Sequence, residues 1–216
     1  MKTKYFKFVG LNIDEHLSWE FHLTITKTKL SFASHQISKV KNVFKKETLL
    51  LIYNCLFKPH LEYAIAAWGG IPKSKLNGLI NIQKRCVRNI AGKKSRSHTD
   101  PIFKDLGILK LKDLFELNCA VIMYDIVYKH EFNNLGGIFQ LSHSTRTKNI
   151  ILESCKKEFL KHFPTWWLPR IWNEYPNDLK QLSTKNSFKH VIYCMLTSKY
   201  IENPKKCKNL TCPDCY

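Results

Sequence analysis

Three cysteines near the end of the printed sequence have the spacing of a metal site. Cys207, Cys212 and Cys215 are separated by four and then by two residues. Thiolates at CxxC spacing bind zinc, which takes four tetrahedral ligands. The spacing predicts a zinc site whose fourth ligand is Cys194, His190 or a residue of a longer protein. Cysteines without a metal are the alternative, and a redox pair lacks the βαβ pattern that such pairs accompany.

The carboxylates of the chain are not arranged for metal-dependent catalysis. Two-metal polymerases and nucleases hold their cations with acidic residues that lie close together, and the seven aspartates here include no adjacent pair. The glycine-rich phosphate loop, the GxSxG elbow and the HExxH motif are also missing from the sequence. We therefore expect that this chain alone is not an enzyme, that it acts on no small-molecule substrate, and that zinc is its one candidate cofactor.

The basic residues favour phosphate binding. The sequence has 35 Lys and Arg against 17 Asp and Glu, a formal charge of +18, and each phosphate that a cation neutralises releases counterions. Residues 21–46 hold six lysines and residues 63–99 hold eight Lys or Arg, with no acid in either segment. RNA, DNA or an RNA–DNA hybrid is the predicted partner, and a solvated basic face is the alternative. The predicted nucleic-acid-binding residues are Lys27, Lys29, Lys84, Arg85, Arg88, Lys93, Lys94 and Arg96.

Composition argues against a membrane protein or a secreted one. The longest apolar run, residues 49–57, is interrupted by Asn54 and is far shorter than the ~20 residues that span a bilayer. The first ten residues lack the apolar region of a signal peptide. Single cysteines in apolar segments are typical of reduced core thiols, and they are Cys55, Cys86, Cys119, Cys155 and Cys194. We expect an intracellular protein of the nucleus or cytoplasm with no membrane partner.

An amphipathic helix is predicted to present the basic residues of the second segment. It runs from about Ser74, a candidate N-cap, to Ala91, and Gly92 suits the left-handed position after its end. Because each residue turns the helix by roughly 100°, Lys84, Arg85 and Arg88 follow one another along one flank. The apolar arc beside them consists of Leu76, Leu79, Ile80, Gln83, Val87, Ile90 and Ala91.

The other elements are predicted to be mostly helical. A strand is predicted over Tyr5–Ile13, and Gly10 interrupts it, which indicates a bulge or a close approach of the backbone to another group. The predicted fold class is mainly α with a short N-terminal β segment. An aromatic stretch from Phe163 to Tyr175 shows less periodicity. Helices are predicted over residues 23–44, from Glu47 through a bend or break at Pro59 to Trp68, over 100–106, over 111–128, and over 185–200 with Ser183 or Thr184 as cap.

Seven short motifs follow one another between Tyr5 and Tyr200. They are Phe8-Val9-Gly10 with Ile13-Asp14, Leu17-Ser18-Trp19 with His22, Tyr53 to Trp68-Gly69 through Pro59 and Tyr63, Leu79 to Arg88 through Gln83-Lys84-Arg85, Leu106-Gly107-Ile108-Leu109 with Asp113, Thr145-Arg146, and Trp172-Asn173-x-x-Pro176 with Phe188. In this order they resemble the C-terminal third of a LINE-type (non-LTR) retrotransposon reverse transcriptase, downstream of its catalytic palm.

The resemblance implies a role for each part. Phe8, Val9 and Gly10 would form the hairpin that grips the primer, although the family usually has leucine where Val9 stands. Residues 1–22 would be the palm–thumb junction, 23–132 a helical thumb that holds an RNA–DNA duplex, 133–206 a C-terminal helical or irregular domain, and 207–216 a cysteine-rich tail. The catalytic aspartate pair and its Mg²⁺ would belong to the palm, which the sequence lacks. The terminal cysteines do not match the CCHC knuckle of some members.

Three hypotheses follow for function. The first is a truncated reverse transcriptase fragment that holds template and primer without catalysis. The second is an independent nucleic-acid-binding protein co-opted from such an element, and the third is a relic that no longer functions. At the residue level, Phe8 is predicted to be core unless a missing sheet is supplied, and Trp166, Trp167 and Trp172 are predicted to pack rather than to stack on bases.

Overall fold

The computed structural model describes residues 5–128, 138–142, 148–152, 154, 160–161 and 163–200. The fold is mainly α, as the sequence predicted, with one two-stranded sheet near the N-terminus of the described part. The residues group into two compact units, 1–111 with 197–216, and 112–196. The division into four segments stays a prediction. No helix in the described ranges is both long and apolar enough to cross a membrane.

The first unit opens with a β-hairpin, the element that the resemblance implied, whereas the residue pattern alone predicted one interrupted strand. Strands β1 (Tyr5–Phe8) and β2 (Leu11–Asp14) pair antiparallel, with Phe8 opposite Leu11. Val9 and Gly10 form the turn with φ of 44° and 83°, the two positive values that a type I′ hairpin turn requires. Gly10 is the second residue of the turn and forms no bulge, but the alternative prediction of a close approach agrees with the Tyr63 ring, which lies 3.4 Å from where a Gly10 Cβ would stand.

Asp14 shapes the connection from the hairpin into helix α1 (Glu20–Val40). Its carboxylate accepts hydrogen bonds from the backbone N–H groups of His16 at 3.2 Å, Ser18 at 2.9 Å and Trp19 at 2.9 Å, and from the Ser18 hydroxyl at 3.1 Å. Burial acts to raise the pKa of Asp14, but these hydrogen bonds outweigh it and hold the pKa below its usual value. They also offset the positive φ at Leu17 and Trp19.

A chain of short helices crosses from α1 to the second long helix. Helix α2 (Lys46–Ile52) continues through one π-helical turn (Tyr53–Phe57) into α3 (Lys58–Glu62), and α4 (Ile65–Trp68) follows. A bend or a break was predicted at Pro59, but the helical backbone does not break there. Pro59 directly follows the π-helical turn, and the helix runs on to Glu62. It ends before Ala64, whose φ is 48°.

Helix α5 (Lys73–Ile90) begins one residue before Ser74, after Pro72, and makes no side-chain cap. Gly92 has a φ of 61°, as its place after the helix predicted. The buried face is wider than the predicted arc, since Ile82 and Cys86 are only 6% and 0% exposed. The face is wide because α5 packs against more than one helix. It contacts α1, and it also contacts α2 and helix α6 (Asp100–Asp105).

The second unit starts within helix α7 (Leu111–Tyr128), whose bounds are those predicted. The aromatic stretch expected to be irregular is instead helix α8 (Pro164–Glu174), followed by α9 (Asn177–Lys180) and α10 (Lys185–Ser198). Pro164 occupies the first turn of α8 and is tolerated there. Thr184 caps α10, because its Oγ1 accepts the Ser187 N–H at 3.2 Å.

The Trp172-Asn173 motif has a structural role in this unit. The Trp172 indole donates to the Lys148 carbonyl at 2.6 Å. The Asn173 amide both accepts from the Ile150 N–H at 2.9 Å and donates to the Ile150 carbonyl at 2.8 Å. These bonds tie the segment around residue 150 to α8. Trp167 and Trp172 are 6% and 0% exposed, which agrees with the packing role predicted for them.

Candidate nucleic-acid interface

Helices α1 and α5 lie side by side and run in the same direction. At their N-terminal ends the Lys75 ammonium lies 3.0 Å from the Glu20 carboxylate. At their C-terminal ends the Lys41 ammonium donates to the Asn89 side chain at 3.4 Å. Between them, the methylenes of Lys27 lie over Gly78, where a Cβ would meet them at 3.6 Å. The contact line from Lys75 to Asn89 spans about 21 Å at 1.5 Å per residue.

Arg85 lies along the same line. Gly78, Arg85 and Asn89 are separated by seven and four residues, so they share one face of α5. Since Gly78 and Asn89 contact α1, the exposed Arg85 side chain emerges beside α1, between the positions of Lys27 and Lys41. We call the surface formed by Lys75, Lys27, Arg85 and Lys41 the basic seam.

The basic seam is largely uncompensated by acids. Lys75 pairs with Glu20 at one end. In the parts of the chain that the structure describes, neither Lys27, Lys41 nor Arg85 forms a salt bridge. Exposed cations without acidic partners keep their attraction for an approaching polyanion.

Lys29 lies away from the basic seam. Two residues along a helix correspond to roughly 200°, so Lys27 and Lys29 occupy opposite edges of the buried face of α1. The surroundings of Lys29 agree with this placement. Burial is the larger cause of the lowered pKa values of His22 and of His60 on α3, and the nearby positive charge of Lys29 lowers both pKa values further. The sequence grouped Lys27 with Lys29, and the structure separates them.

Lys84 and Arg88 are placed differently from the exposed flank that the sequence predicted. Lys84 is only 7% exposed and belongs to the buried face of α5, because that face is wider than the predicted arc. The half-buried Arg88 donates from Nε to the Ser97 carbonyl at 2.8 Å. Arg88 therefore fixes the loop that follows the helix. That loop carries three exposed cations, Lys93, Lys94 and Arg96, which we call the basic loop.

The three residues compared with a primer grip lie at the hairpin tip. Phe8 and Val9 are 58% and 71% exposed, so the prediction of Phe8 as core is wrong for the described chain. The Tyr63 hydroxyl donates to the Val9 carbonyl. The Tyr63 ring also lies 3.4 Å from the point where a Cβ on Gly10 would stand. Tyr63 thus anchors an exposed apolar tip, and a role in gripping a primer stays a prediction.

The predicted metal ligands Cys207, Cys212 and Cys215 lie outside the described residues, as do Cys155, Thr145 and Arg146. On α10 the two candidates for a fourth ligand are close together, with Cys194 Sγ 3.6 Å from His190 Nε2. The described ranges contain no group of three or more potential ligands. Zinc binding therefore stays a prediction.

Burial raises the pKa of the free Cys86 thiol to about 12, so Cys86 is an inert core residue.

Lys41 and Lys75 were missed by sequence reasoning. For Lys41 the signal was present in the spacing along α1. Glu20, Lys27, Ser34 and Lys41 recur every seven residues, a spacing that places them on one face toward one partner helix. The contacts bear this out, since the buried Ser34 side chain lies beside Cys86 of α5. Knowing which helix faces this stripe requires the tertiary contacts.

Two curated proteins match part of the chain, and both are described as RNA-directed DNA polymerase from mobile element jockey. The protein from Drosophila funebris is 29% identical over 117 residues, which is 51% of this chain and 12% of the relative. The protein from Drosophila melanogaster is 29% identical over 112 residues, or 50% of this chain and 12% of the relative. No family model and no solved structure matches. The resemblance predicted from motif order is confirmed over about half of the chain.

Proposed function

We propose that this chain, half of which is similar to the reverse transcriptase of a LINE-type retrotransposon, holds an RNA–DNA template–primer duplex by its phosphate backbone. In this proposal the chain positions the duplex and does no chemistry by itself. The observation that carries the proposal is the basic seam between α1 and α5, with the basic loop beyond its C-terminal end.

The shape of the basic seam suits a duplex backbone. It is about 21 Å long, and a duplex presents one phosphate charge per roughly 1.7 Å of its axis. Several phosphates of one duplex would therefore face Lys27, Arg85 and Lys41 together. Contacts of this kind fix position and orientation without reading sequence. An A-like hybrid is suited to such recognition because it offers its shape and backbone more readily than its base edges.

The proposal is tested by measuring the affinity of the purified chain for a fluorescent RNA–DNA hybrid as NaCl concentration increases. The logarithm of the association constant should fall steeply with the logarithm of salt, because bound cations release counterions. Lys27→Gln and Arg85→Gln should each weaken binding for hybrids of every sequence. Each should also reduce the salt slope by about one.

Lys29→Gln is the matched control. It removes the same charge from the same helix two residues away, on the opposite edge of the buried face. Binding should fall clearly less for Lys29→Gln than for Lys27→Gln. Equal losses would mean that net charge, and not the basic seam, drives binding. An unmodified chain that binds no hybrid at low salt would show the proposed function to be wrong.

A further inference from the structure

Trp166 differs from the other four tryptophans of the chain. Trp19, Trp68, Trp167 and Trp172 are at most 6% exposed, whereas Trp166, near the start of α8, is only half-buried. Its ring carries a cation on one face, because the Arg170 guanidinium carbon lies 3.1 Å from the ring centroid. The Arg170 Nη1 also donates to the Trp166 carbonyl at 2.8 Å. The two planar groups are therefore held as a fixed stacked pair.

This pair lines a cavity of about 200 Å³ in the second unit. The cavity has aliphatic walls from Ile138, Ile151 and Leu160, and these side chains are 48%, 45% and 39% exposed. A cavity of this size is smaller than the 300–1,000 Å³ typical of drug-sized ligands. It suits one flat ring system between an apolar wall and a stacked pair.

Two residues with hydroxyl side chains, Ser154 and Thr165, also border the cavity. A hydroxyl group both donates and accepts hydrogen bonds. Ring-stacking surfaces, aliphatic walls and hydroxyl groups together match an unpaired nucleobase, whose faces stack on aromatic and guanidinium planes and whose edge carries hydrogen-bonding groups.

We propose that the Trp166–Arg170 cavity binds one unpaired base of a single-stranded nucleic acid. This inference rests on the proposed nucleic-acid role of the chain and adds to it a second contact, on the second unit and to a base instead of to phosphates. The charge of Arg170 suits a strand whose backbone is anionic, and stacking tolerates any base because every base has a π face.

The test compares two strands of ten nucleotides with the same backbone charge, one of adenines and one abasic throughout. Affinities for the full chain are measured at low salt by fluorescence anisotropy, and intrinsic tryptophan fluorescence is recorded in parallel. The adenine strand should bind about 5- to 150-fold more tightly, the range that one base–aromatic stack provides. It should also quench tryptophan emission, and the abasic strand should not.

Three variants make the test specific. Trp166→Ala should remove the preference for the adenine strand, and Trp166→Phe should restore part of it. Ile151→Phe should remove the preference by filling the cavity, and because Ile151 is exposed this change leaves the core intact. Phe32→Ala is the matched control: Phe32 is an exposed aromatic residue of α1, 65% exposed, and its loss should leave the preference unchanged.

The outcomes separate the two proposals. If both strands bind equally well to the unmodified chain, or if Trp166→Ala and Ile151→Phe both retain the preference, the base cavity is wrong while backbone binding stands. If neither strand binds, and the hybrid does not bind either, both proposals are wrong.

Discussion

At the scale of single residues, Val9 is the clearest local conflict in the chain. A β-branched residue at a φ of 44° is strained, because its Cβ crowds the backbone in the left-handed region. Its side chain is 71% exposed, so it gains little from packing. The hairpin keeps the turn because the register of its strands and the hydrogen bond from the Tyr63 hydroxyl require it.

Val9→Gly should therefore stabilise the protein. Removing the left-handed strain is worth about 1–2 kcal/mol, and the extra freedom of glycine in the unfolded chain takes back about 0.5–1 kcal/mol. We expect a net gain of roughly 0.5–1 kcal/mol in the free energy of unfolding, measured by denaturant titration. Val43→Gly is the control, since Val43 is equally exposed but has no positive φ. A loss of stability in both variants would contradict the strain at Val9.

At the scale of elements, one buried amide joins α5 to the segment that leads into α7. The Gln83 Nε2 donates to the Leu109 carbonyl at 2.9 Å and to the Tyr53 hydroxyl at 3.2 Å, and its Oε1 accepts the Leu111 N–H at 3.0 Å. Gln83 is 1% exposed. Its interactions satisfy two backbone groups in the core, the Leu109 carbonyl and the Leu111 N–H.

Gln83→Leu should destabilise the first unit although the two side chains are similar in size. Without the amide, the Leu109 carbonyl and the Leu111 N–H stay buried without this partner, and we expect a loss of about 2–4 kcal/mol in the free energy of unfolding. Tyr53→Phe removes one of the three bonds and leaves both backbone groups satisfied, so it should cost only about 0.5–1.5 kcal/mol. Equal losses in the two denaturation curves would argue against a bridging role for Gln83.

Elements with strong periodicity and clear ends were predictable from sequence, and others were not. Helix α7 was predicted with its observed bounds because its apolar run is long, and Gly92 was placed correctly because few residues other than glycine adopt its φ. The residue pattern alone indicated one strand because Val9 conceals the turn, in which the first central residue is usually Asn, Asp or Gly. The hairpin was implied only by the resemblance of the motifs. Helix α8 was missed because two prolines argue against a helix. Burial of Trp167, Leu168 and Trp172 offsets the hydrogen bond that Pro169 removes.

The candidate site was predictable in composition but not in arrangement. The acid-free segments identified Lys27, Arg85 and the basic loop as a group. Periodicity could not show that Lys29 faces the other edge of α1 or that Lys84 is buried, because both depend on which helices pack on each side. The same contacts add Lys41 and Lys75, whose positions become meaningful only when α1 and α5 are adjacent.

At the scale of the whole molecule, the formal charge of +18 acts on folding as well as on binding. Like charges repel in the compact state, and this repulsion lowers stability when salt does not screen it. Surface ion pairs such as Lys46–Asp105 at 2.5 Å oppose the effect, but exposed pairs contribute at most about 1 kcal/mol each. Cations outnumber acids 35 to 17, so repulsion should dominate.

Stability and nucleic-acid affinity should therefore respond to salt in opposite directions. Raising NaCl from about 10 to 200 mM shortens the screening length severalfold. The free energy of unfolding should increase by on the order of 1 kcal/mol, while the affinity for a hybrid falls. Replacing Lys93, Lys94 and Arg96 of the basic loop with Gln removes three exposed charges and should flatten both dependences together. If added salt instead lowered both the stability and the affinity, the attraction within native ion pairs would outweigh the repulsion. The excess positive charge would then be balanced within the fold and would not be available to a polyanion.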